Sequence, residues 1–468
     1  MSEGVDTTVE TLLVLLLVVF AVAVAVQWIR LPYPIALVVT GLLGFQPGFR
    51  HIYLTPDLIL TVFLPVLLFE GAYNVSAKRL RGDLLPIVLL AGPGVLLGTV
   101  VTGAIVHAAL GLPWGVVFLF GALISSTDPI AVISLFRRLG VPRRLALLVE
   151  GESLFNDGAA ITLFQIVLAA IITGQFSIGE GLLRFAVTVA GALIVGAGIG
   201  YGGSLLMRAV DNAQVQITAT VIAAYGSYLL AERFTFSGAI AVVVTALLFG
   251  NYGTLGGLSP VSVRALSGTW EFMGFVANSL IFLLIGIELD PLVLARSWWL
   301  IAIAFLAALA GRAVAVFVLM PLVRGRWTIP GKFLPVILWG GLRGAVSLAL
   351  VLSVPFNLPS GQGFPHRSLL QLLAFGVVGV SLLLQGLTMG PFIRWLGLAR
   401  ETDAGDNLAS VRARLHAVEG TLLALEHEYE QGEIGSLHYE RLKRAYQTDL
   451  EQLQRQMEHL QASSSEAR

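Results

Sequence analysis

Long apolar stretches dominate the sequence and leave it few folds other than a bundle of membrane helices. A helix that crosses a bilayer needs about 20 mostly apolar residues. Thirteen stretches of roughly this kind follow one another, with approximate limits 8–29, 34–46, 56–72, 83–110, 114–136, 143–173, 180–207, 213–231, 237–251, 265–287, 297–323, 331–353 and 369–396. Only 12% of the residues are Asp, Glu, Lys or Arg, about half the share that is usual in a soluble protein. We therefore predict an all-α polytopic membrane protein with about 13 transmembrane helices, and a soluble enzyme is excluded.

The charged residues divide the chain near residue 400. Of residues 1–400, 38 are charged, whereas 20 of the last 68 are. This difference predicts a transmembrane domain over 1–400 and a soluble helical tail over 401–468. In the tail, apolar residues between 408 and 429 alternate in steps of three and four, as in a heptad seam, and a second helix is predicted over about 436–461. A helical hairpin and a coiled coil between two chains both fit this pattern, which assigns no role to the tail.

The loops between the predicted spans differ in their basic residues. Alternate loops carry 15 Lys and Arg residues in one set and 5 in the other, and cytoplasmic loops hold the excess of positive charge. We therefore expect a multi-pass protein of the plasma (cell inner) membrane, with its N-terminus outside and its tail in the cytoplasm. Two acidic residues precede the first span, a third, Glu10, lies at its start, and no basic residue accompanies them, which favours a retained helix over a signal peptide.

The spans also suggest an internal repeat. Thirteen spans divide as six, one and six, which predicts two six-helix repeats of inverted orientation. The fifth span of each half contains helix-breaking residues. Asp128 precedes Pro129 in span five, and a residue before proline disfavours helical angles; in span twelve, glycines cluster over 340–344 and weaken the helix. We expect these broken helices, 5 and 12, to cross at the membrane midplane, where transporters of this plan bind their ion or substrate.

Four ionisable residues lie near the middle of four different spans, namely Asp128, Asp157, Arg312 and Arg343. Placing a charge at the centre of a bilayer costs about 2.5–3.5 kcal/mol on insertion scales, so such residues are usually functional or paired. For Asp157 we favour a functional role. For the two arginines, and for Glu152 in the same span as Asp157, structural ion pairing is an equal alternative.

The residues around Asp157 have the chemistry of a cation site. Ser153, Asn156 and Asp157 are spaced i, i+3 and i+4 and therefore share one face of a helix. A hydroxyl, an amide oxygen and a carboxylate are the hard oxygen ligands that a small cation requires. Glu152 and Asn156 could pair with an arginine of a facing helix, which would leave Asp157 as the exchangeable charge.

Five sequence blocks resemble one known family. They are STDPIAVISLFRRLGVP, which begins at Ser126, EGESLFNDGAAI (150–161), FEGAYN (69–74), WEFMGFVANSLIFLLIGIEL (270–289) and WGGLRGAVSLAL (339–350). In this order and spacing they resemble the conserved blocks of NhaP/NHE-type monovalent cation/proton antiporters, and the likeness extends over roughly residues 10–396. The Asn156-Asp157 pair resembles the Asn-Asp form of that family, which is associated with electroneutral exchange.

This resemblance implies roles for individual residues. Asp157 is the expected cation- and proton-binding carboxylate, and Thr127 and Ser153 are expected to be further ligands of the monovalent cation. Asp128 would lie in the crossing of the broken helices. The same resemblance implies that Glu70 is an acidic residue of the ion site. It also implies that Glu152 and Asn156, with one arginine, Arg312 or Arg343, form the structural support of that site.

We therefore predict a secondary active sodium/proton antiporter that exchanges about one monovalent cation (Na⁺, Li⁺ or K⁺) for one proton by alternating access. Its expected role is pH and sodium homeostasis. A K⁺/H⁺ antiporter, a cation channel and an intramembrane enzyme are the alternatives. We expect no cofactor. The formal net charge is zero, which argues against a nucleic-acid partner, and the resemblance implies a homodimer.

Overall fold

A computed structural model describes residues 2–28, 33–44, 58–175, 177–210, 212–253, 260–288, 290–323, 325–399, 415–416, 418–423, 425–426, 429 and 436–466. Across these residues no β-strand occurs, and β-type pairing is confined to one bridge between Asn357 and Gly363. The predicted all-helical class is therefore confirmed. The beginning of the heptad seam, at Leu408 and Val411, lies outside the described residues.

The first nine α-helices are α1 (Ser2–Val26), α2 (Tyr33–Gly44), α3 (Leu64–Tyr73), α4 (Ala77–Gly82), α5 (Leu84–Ala91), α6 (Pro93–Leu110), α7 (Trp114–Ser125), α8 (Ile130–Arg138) and α9 (Arg143–Thr173). The next ten are α10 (Ile178–Arg208), α11 (Ala213–Arg233), α12 (Gly238–Leu248), α13 (Pro260–Glu288), α14 (Pro291–Arg296), α15 (Trp298–Leu319), α16 (Phe333–Trp339), α17 (Ala345–Leu352), α18 (Arg367–Val380) and α19 (Gly386–Trp395). The tail contributes α20 (Ser436–Glu466). Short π-helical segments occupy Leu58–Phe63, Phe249–Gly253 and Ser381–Gln385.

Two non-helical segments matter for the site. Between α7 and α8, the backbone of Ser126 is extended, with φ −57° and ψ 137°, and Pro129 disfavours helical angles at the residue before it. Between α16 and α17, the chain passes through 340–344, and Gly344 is extended at φ −134° and ψ −157°. Each segment leaves backbone N–H and C=O groups without helical partners, so these groups are free to bind other elements.

Many of the described helices are long and apolar enough to cross a membrane. Six helical segments of 25 to 31 residues have this character, and five shorter apolar helices accompany them. On α10, Ile194 and Leu206 are 73% and 72% exposed, which is expected of side chains that face lipid rather than water. The predicted class of membrane-spanning helical protein is confirmed at this level.

Glycines allow pairs of helices to approach closely. A Cβ atom on Gly41 of α2 would overlap the carbonyl oxygen of Leu283 in α13, and one on Gly286 would overlap that of Val38. The two glycines therefore lie opposite each other where α2 and α13 are in backbone contact. Membrane helices use small residues in this way because close packing replaces the hydrophobic driving force that lipid removes.

The chain divides into two compact units, 1–136 with 142–396, and 137–141 with 397–468. In the second unit, the rings of Tyr429 and Tyr439 stack at 4.2 Å with an interplanar angle of 12°, and Lys443 lies 3.4 Å from a carboxylate oxygen of Glu426. Described residues on the two sides of 430–435 therefore contact each other within one chain. Hydrogen bonding to Tyr439, and then to Glu426, raises the pKa of Lys443 above its ordinary value.

Candidate functional site

The two non-helical segments cross in direct backbone contact. The amide of Asp128 donates a hydrogen bond of 2.7 Å to the carbonyl oxygen of Leu342. A Cβ atom on Gly344 would overlap the side chain of Asp128, so the crossing depends on a glycine there. Residues 126–129 and 340–344 therefore form one structural element, although about 200 residues separate them in the sequence.

Charged side chains complement the helix ends at this crossing. The Nη1 atom of Arg343 donates to the carbonyl oxygens of Ser125 at 2.9 Å and Ser126 at 3.4 Å, at the C-terminal end of α7. The Oδ1 atom of Asp128 accepts from the amide of Ile130 at 3.0 Å, at the N-terminal end of α8. Because a helix carries partial negative charge at its C-terminus and partial positive charge at its N-terminus, both charges stabilise the ends they face.

Asp157 meets the non-helical segment from the side of α9. The hydroxyl of Ser126 donates to Oδ1 of Asp157 at 2.5 Å, and the hydroxyl of Ser153 donates to the carbonyl oxygen of Thr127 at 2.5 Å. Asp157 is only partly buried, whereas Ser126, Thr127 and Ser153 are at most 3% exposed. Asp157 is therefore the least buried of these four oxygen-bearing residues.

Asn156 joins the same segment to Glu152. Its Nδ2 atom donates to Oγ1 of Thr127 and to Oε1 of Glu152, both at 2.7 Å. Asn156 is fully buried, and these two bonds satisfy both of its N–H groups. The amide therefore holds the hydroxyl of Thr127 in a fixed place beside α9.

Glu152 is neutralised by Arg312 of α15. The Nη1 and Nη2 atoms of Arg312 donate to Oε1 and Oε2 of Glu152 at 2.7 and 2.8 Å, and Nη2 also donates to the carbonyl oxygen of Ile337 at 3.2 Å. The two side chains are 1% and 8% exposed. Of the two candidate arginines, Arg312 is therefore the partner of Glu152, while Arg343 binds backbone carbonyls.

Glu70 lies on α3 and is half-buried. Its Cγ atom is 3.0 Å from the position that a Cβ atom on Gly274 of α13 would occupy. The absence of a side chain at Gly274 therefore leaves room for that of Glu70. The structure assembles the other residues of the predicted site, Asp157, Ser153, Thr127, Asp128, Asn156, Glu152, Arg312 and Arg343, around the crossing.

Two contacts of the site were not among the sequence predictions. The hydroxyl of Ser126, a residue that was not among the predicted site residues, donates to the carboxylate of Asp157. The hydroxyl of Ser381, in a π-helical segment, accepts a bond of 3.1 Å from the backbone amide of Arg343. Ser126 adjoins the Asp-Pro break, a signal that could have identified it; nothing in the local sequence around Ser381 could have.

A partly buried carboxylate among oxygen atoms, beside two non-helical segments that cross, is typical of the sites at which secondary transporters bind a small cation. A family model described as "Sodium/hydrogen exchanger, transmembrane" matches residues 13–395. The chain belongs to this family, and the resemblance drawn from its sequence blocks is confirmed.

Individual relatives agree with this assignment. The chain is 38% identical over 432 residues to the Na⁺/H⁺ antiporter ApNhaP of Aphanothece halophytica, covering 91% of this chain and 82% of that protein. It is 39% identical over 351 residues to the Na⁺/H⁺ antiporter NhaP of Pseudomonas aeruginosa, covering 72% and 81%. Its fold is similar to that of the sodium proton antiporter MjNhaP1 from Methanocaldococcus jannaschii, with a TM-score of 0.71 at 20% identity over 84% of this chain and 99% of that one.

Proposed function

We propose that this protein is a sodium/proton antiporter that exchanges about one monovalent cation for one proton by alternating access, with Asp157 as the shared binding carboxylate. The observation that carries the proposal is the partly buried Asp157 carboxylate among the buried oxygens of Ser126, Thr127 and Ser153. Membership of the sodium/hydrogen exchanger family supports it.

We take Asp157 as the exchangeable charge of the site, whereas the Asp128 carboxylate is engaged by the amide of Ile130 at the start of α8. Glu152 is held by two hydrogen bonds from Arg312, so its charge is already balanced, and Asn156 is neutral. Within the described part of the chain, the Asp157 carboxylate accepts from the hydroxyl of Ser126 and from no cationic side chain. One proton or one Na⁺ therefore neutralises it, and competition between the two gives an exchange of one for one.

The ligands proposed for the cation are the carboxylate of Asp157, the hydroxyl of Ser153 and an oxygen of Thr127. All are hard oxygen donors, which suit Na⁺ and Li⁺. Asp128 and Glu70 are proposed as further acidic residues of the ion site, on the strength of the family resemblance. A free aspartate has a pKa near 3.9 and is rarely protonated at neutral pH, so the exchange requires the partly desolvated setting in which Asp157 lies.

We also propose the arrangement of the chain in the membrane. The chain crosses the plasma membrane in thirteen spans that include two inverted six-helix repeats, and its broken helices cross at the midplane. The N-terminus is external and the tail is cytoplasmic. One contact supports this topology: Arg144 binds Asp83 and the carbonyl oxygens of Trp327 and Thr328, and all three segments lie at span ends or in a loop assigned to the cytoplasm. A homodimer is proposed from the family resemblance alone.

The proposal is tested in proteoliposomes with an imposed pH gradient. Addition of Na⁺ or Li⁺ should dissipate the gradient with saturating kinetics, and clamping the membrane potential with valinomycin and K⁺ should leave the rate unchanged. A current that follows the membrane potential without moving protons would indicate a cation channel. A gradient that only K⁺ dissipates would indicate a K⁺/H⁺ antiporter.

A further inference from the structure

Arg144, in the first turn of α9, joins three segments that are distant in the sequence. Its Nε and Nη2 atoms donate to the carboxylate of Asp83, with bonds of 3.0 and 3.1 Å from Nε and 2.7 Å from Nη2. Nη2 also donates to the carbonyl oxygen of Trp327 at 3.2 Å, and Nη1 donates to that of Thr328 at 3.1 Å. We call this set, Asp83, Arg144 and the carbonyls of Trp327 and Thr328, the Arg144 clasp.

The clasp uses all three nitrogen atoms of the guanidinium group. A planar guanidinium that is bound on both edges has a fixed orientation, which a lysine could not reproduce. The side chain of Asp83 is 11% exposed and that of Arg144 is 34% exposed, so the contact is less open to water than a typical surface ion pair. The bonds to two successive carbonyls attach α9 to the segment that leads into α16.

Below the clasp, α9 packs tightly against α4 and α5. A Cβ atom on Gly151 would lie 2.8 Å from Ile87 and 3.0 Å from Leu80, and Leu148 is 1% exposed. Arg144, Leu148 and Gly151 are spaced i, i+4 and i+7, so they lie on one face of α9. The clasp is the polar end of this contact face.

The proposed ion-binding residues lie on the opposite face of α9. At about 100° per residue, Ser153, Asn156 and Asp157 project roughly 120–220° around the helix from Arg144. Asp157 is thirteen residues from Arg144, or about 20 Å along the axis. Arg144 therefore contributes no ligand to the ion site, and it can influence that site only through the helix that carries both.

We propose that Arg144 is a positioning residue for the ion site, which holds α9 at the rotation where Asp157 meets Ser126 and Ser153 meets Thr127. A rotation of α9 by about 20° would move a side-chain atom 5–6 Å from the axis by about 2 Å. A displacement of that size breaks hydrogen bonds of 2.5 Å such as those of Asp157 and Ser153. This consequence rests on the proposed function, because it is expressed as a change in cation affinity.

The test compares Arg144→Ala with Arg143→Ala in the full chain, reconstituted in proteoliposomes. Arg143 is the neighbouring residue, is exposed and makes no contact in the clasp, so it is a matched control. For Arg144→Ala we expect the Na⁺ concentration at half-maximal exchange to rise about threefold or more, with the maximal rate within about twofold of wild type. Amide hydrogen exchange should increase over 80–87 and 327–330 in this variant only.

A more conservative variant keeps the proposal testable if Arg144→Ala does not fold. Asp83→Asn preserves the shape of the side chain and removes its charge, and it should shift half-saturation in the same direction by a smaller factor. Half-saturation equal to that of Arg143→Ala, in whichever clasp variant folds, overturns the positioning role. A wild-type chain that fails to exchange Na⁺ for protons overturns the proposed function instead, so the two failures are distinct.

Discussion

The ion pair between Glu152 and Arg312 gives the sharpest prediction about what holds the site together. Glu152→Gln keeps the shape of the side chain but removes the charge that balances Arg312 and turns one of its two acceptors into a donor. The two side chains are 1% and 8% exposed. Removal of one partner from such a buried pair leaves an uncompensated charge and costs about 3–5 kcal/mol. That is a large part of the 5–15 kcal/mol by which folded proteins are usually stable.

An exposed pair in the same chain provides the control. Arg184 and Glu180 of α10 are also 2.7 Å apart, but their side chains are 63% and 59% exposed. An exposed pair at i, i+4 contributes about 0.3–0.5 kcal/mol, because water screens both charges. Although the N–O distances of the two ion pairs are equal, the loss of unfolding free energy should therefore be about tenfold larger for Glu152→Gln than for Glu180→Gln.

The measurement is unfolding in mixed SDS–detergent micelles, followed by tryptophan fluorescence, on a double-mutant cycle. Arg312→Met alone should lower the unfolding free energy about as much as Glu152→Gln, because Glu152 is then the uncompensated charge. The double variant should lose less than either single variant, which gives a coupling free energy of about 2 kcal/mol or more. Additive losses, or a loss for Glu180→Gln as large as that for Glu152→Gln, would refute the reasoning.

Two further predictions concern the crossing. Thr127→Val removes the acceptor of one N–H group of the buried Asn156 and should lower the unfolding free energy by about 1–3 kcal/mol. Thr127→Ser keeps the hydroxyl and should retain most of that stability in the same assay. Equal losses of unfolding free energy in the two variants would contradict the role of the Thr127 hydroxyl. Gly344→Ala places a methyl group against Asp128, so it should lower the unfolding free energy by about 1–3 kcal/mol and reduce exchange in proteoliposomes. Gly379→Ala, in open space on α18, should be neutral or stabilising. Equal effects of the two changes would count against the close approach of Gly344 to Asp128.

The sequence was sufficient for features that depend on local pattern. Apolar stretches predict the all-helical membrane fold because lipid leaves backbone groups no partners outside a helix or closed barrel. The spacing of Ser153, Asn156 and Asp157 predicts their shared face of α9 from helix geometry alone. These two steps identify the fold class and the candidate carboxylate without any knowledge of tertiary contacts.

Features that depend on how helices face each other were not accessible in this way. Whether Arg312 or Arg343 pairs with Glu152 is decided by the rotation of α15 relative to α9, and no local pattern encodes it. The Arg144 clasp joins residues 61 and 184 positions apart, and the sequence around each of its members carries no signal that pairs them. The tail pattern fits a hairpin and a dimer equally well, because the same apolar seam can pack against its own chain or against a second one.

Asp157→Asn in proteoliposomes tests the central claim most directly. Asn keeps the size of the side chain but cannot exchange a proton for a cation, so Na⁺-dependent dissipation of the pH gradient should be lost while the protein stays folded. Asp290→Asn is the matched control, because Asp290 is an exposed helix cap that accepts hydrogen bonds from the amides of Leu292 and Val293. Asn caps helices about as well as Asp, so this variant should exchange at the wild-type rate. Exchange by Asp157→Asn at the rate of Asp290→Asn would contradict the assignment of Asp157 as the shared carboxylate.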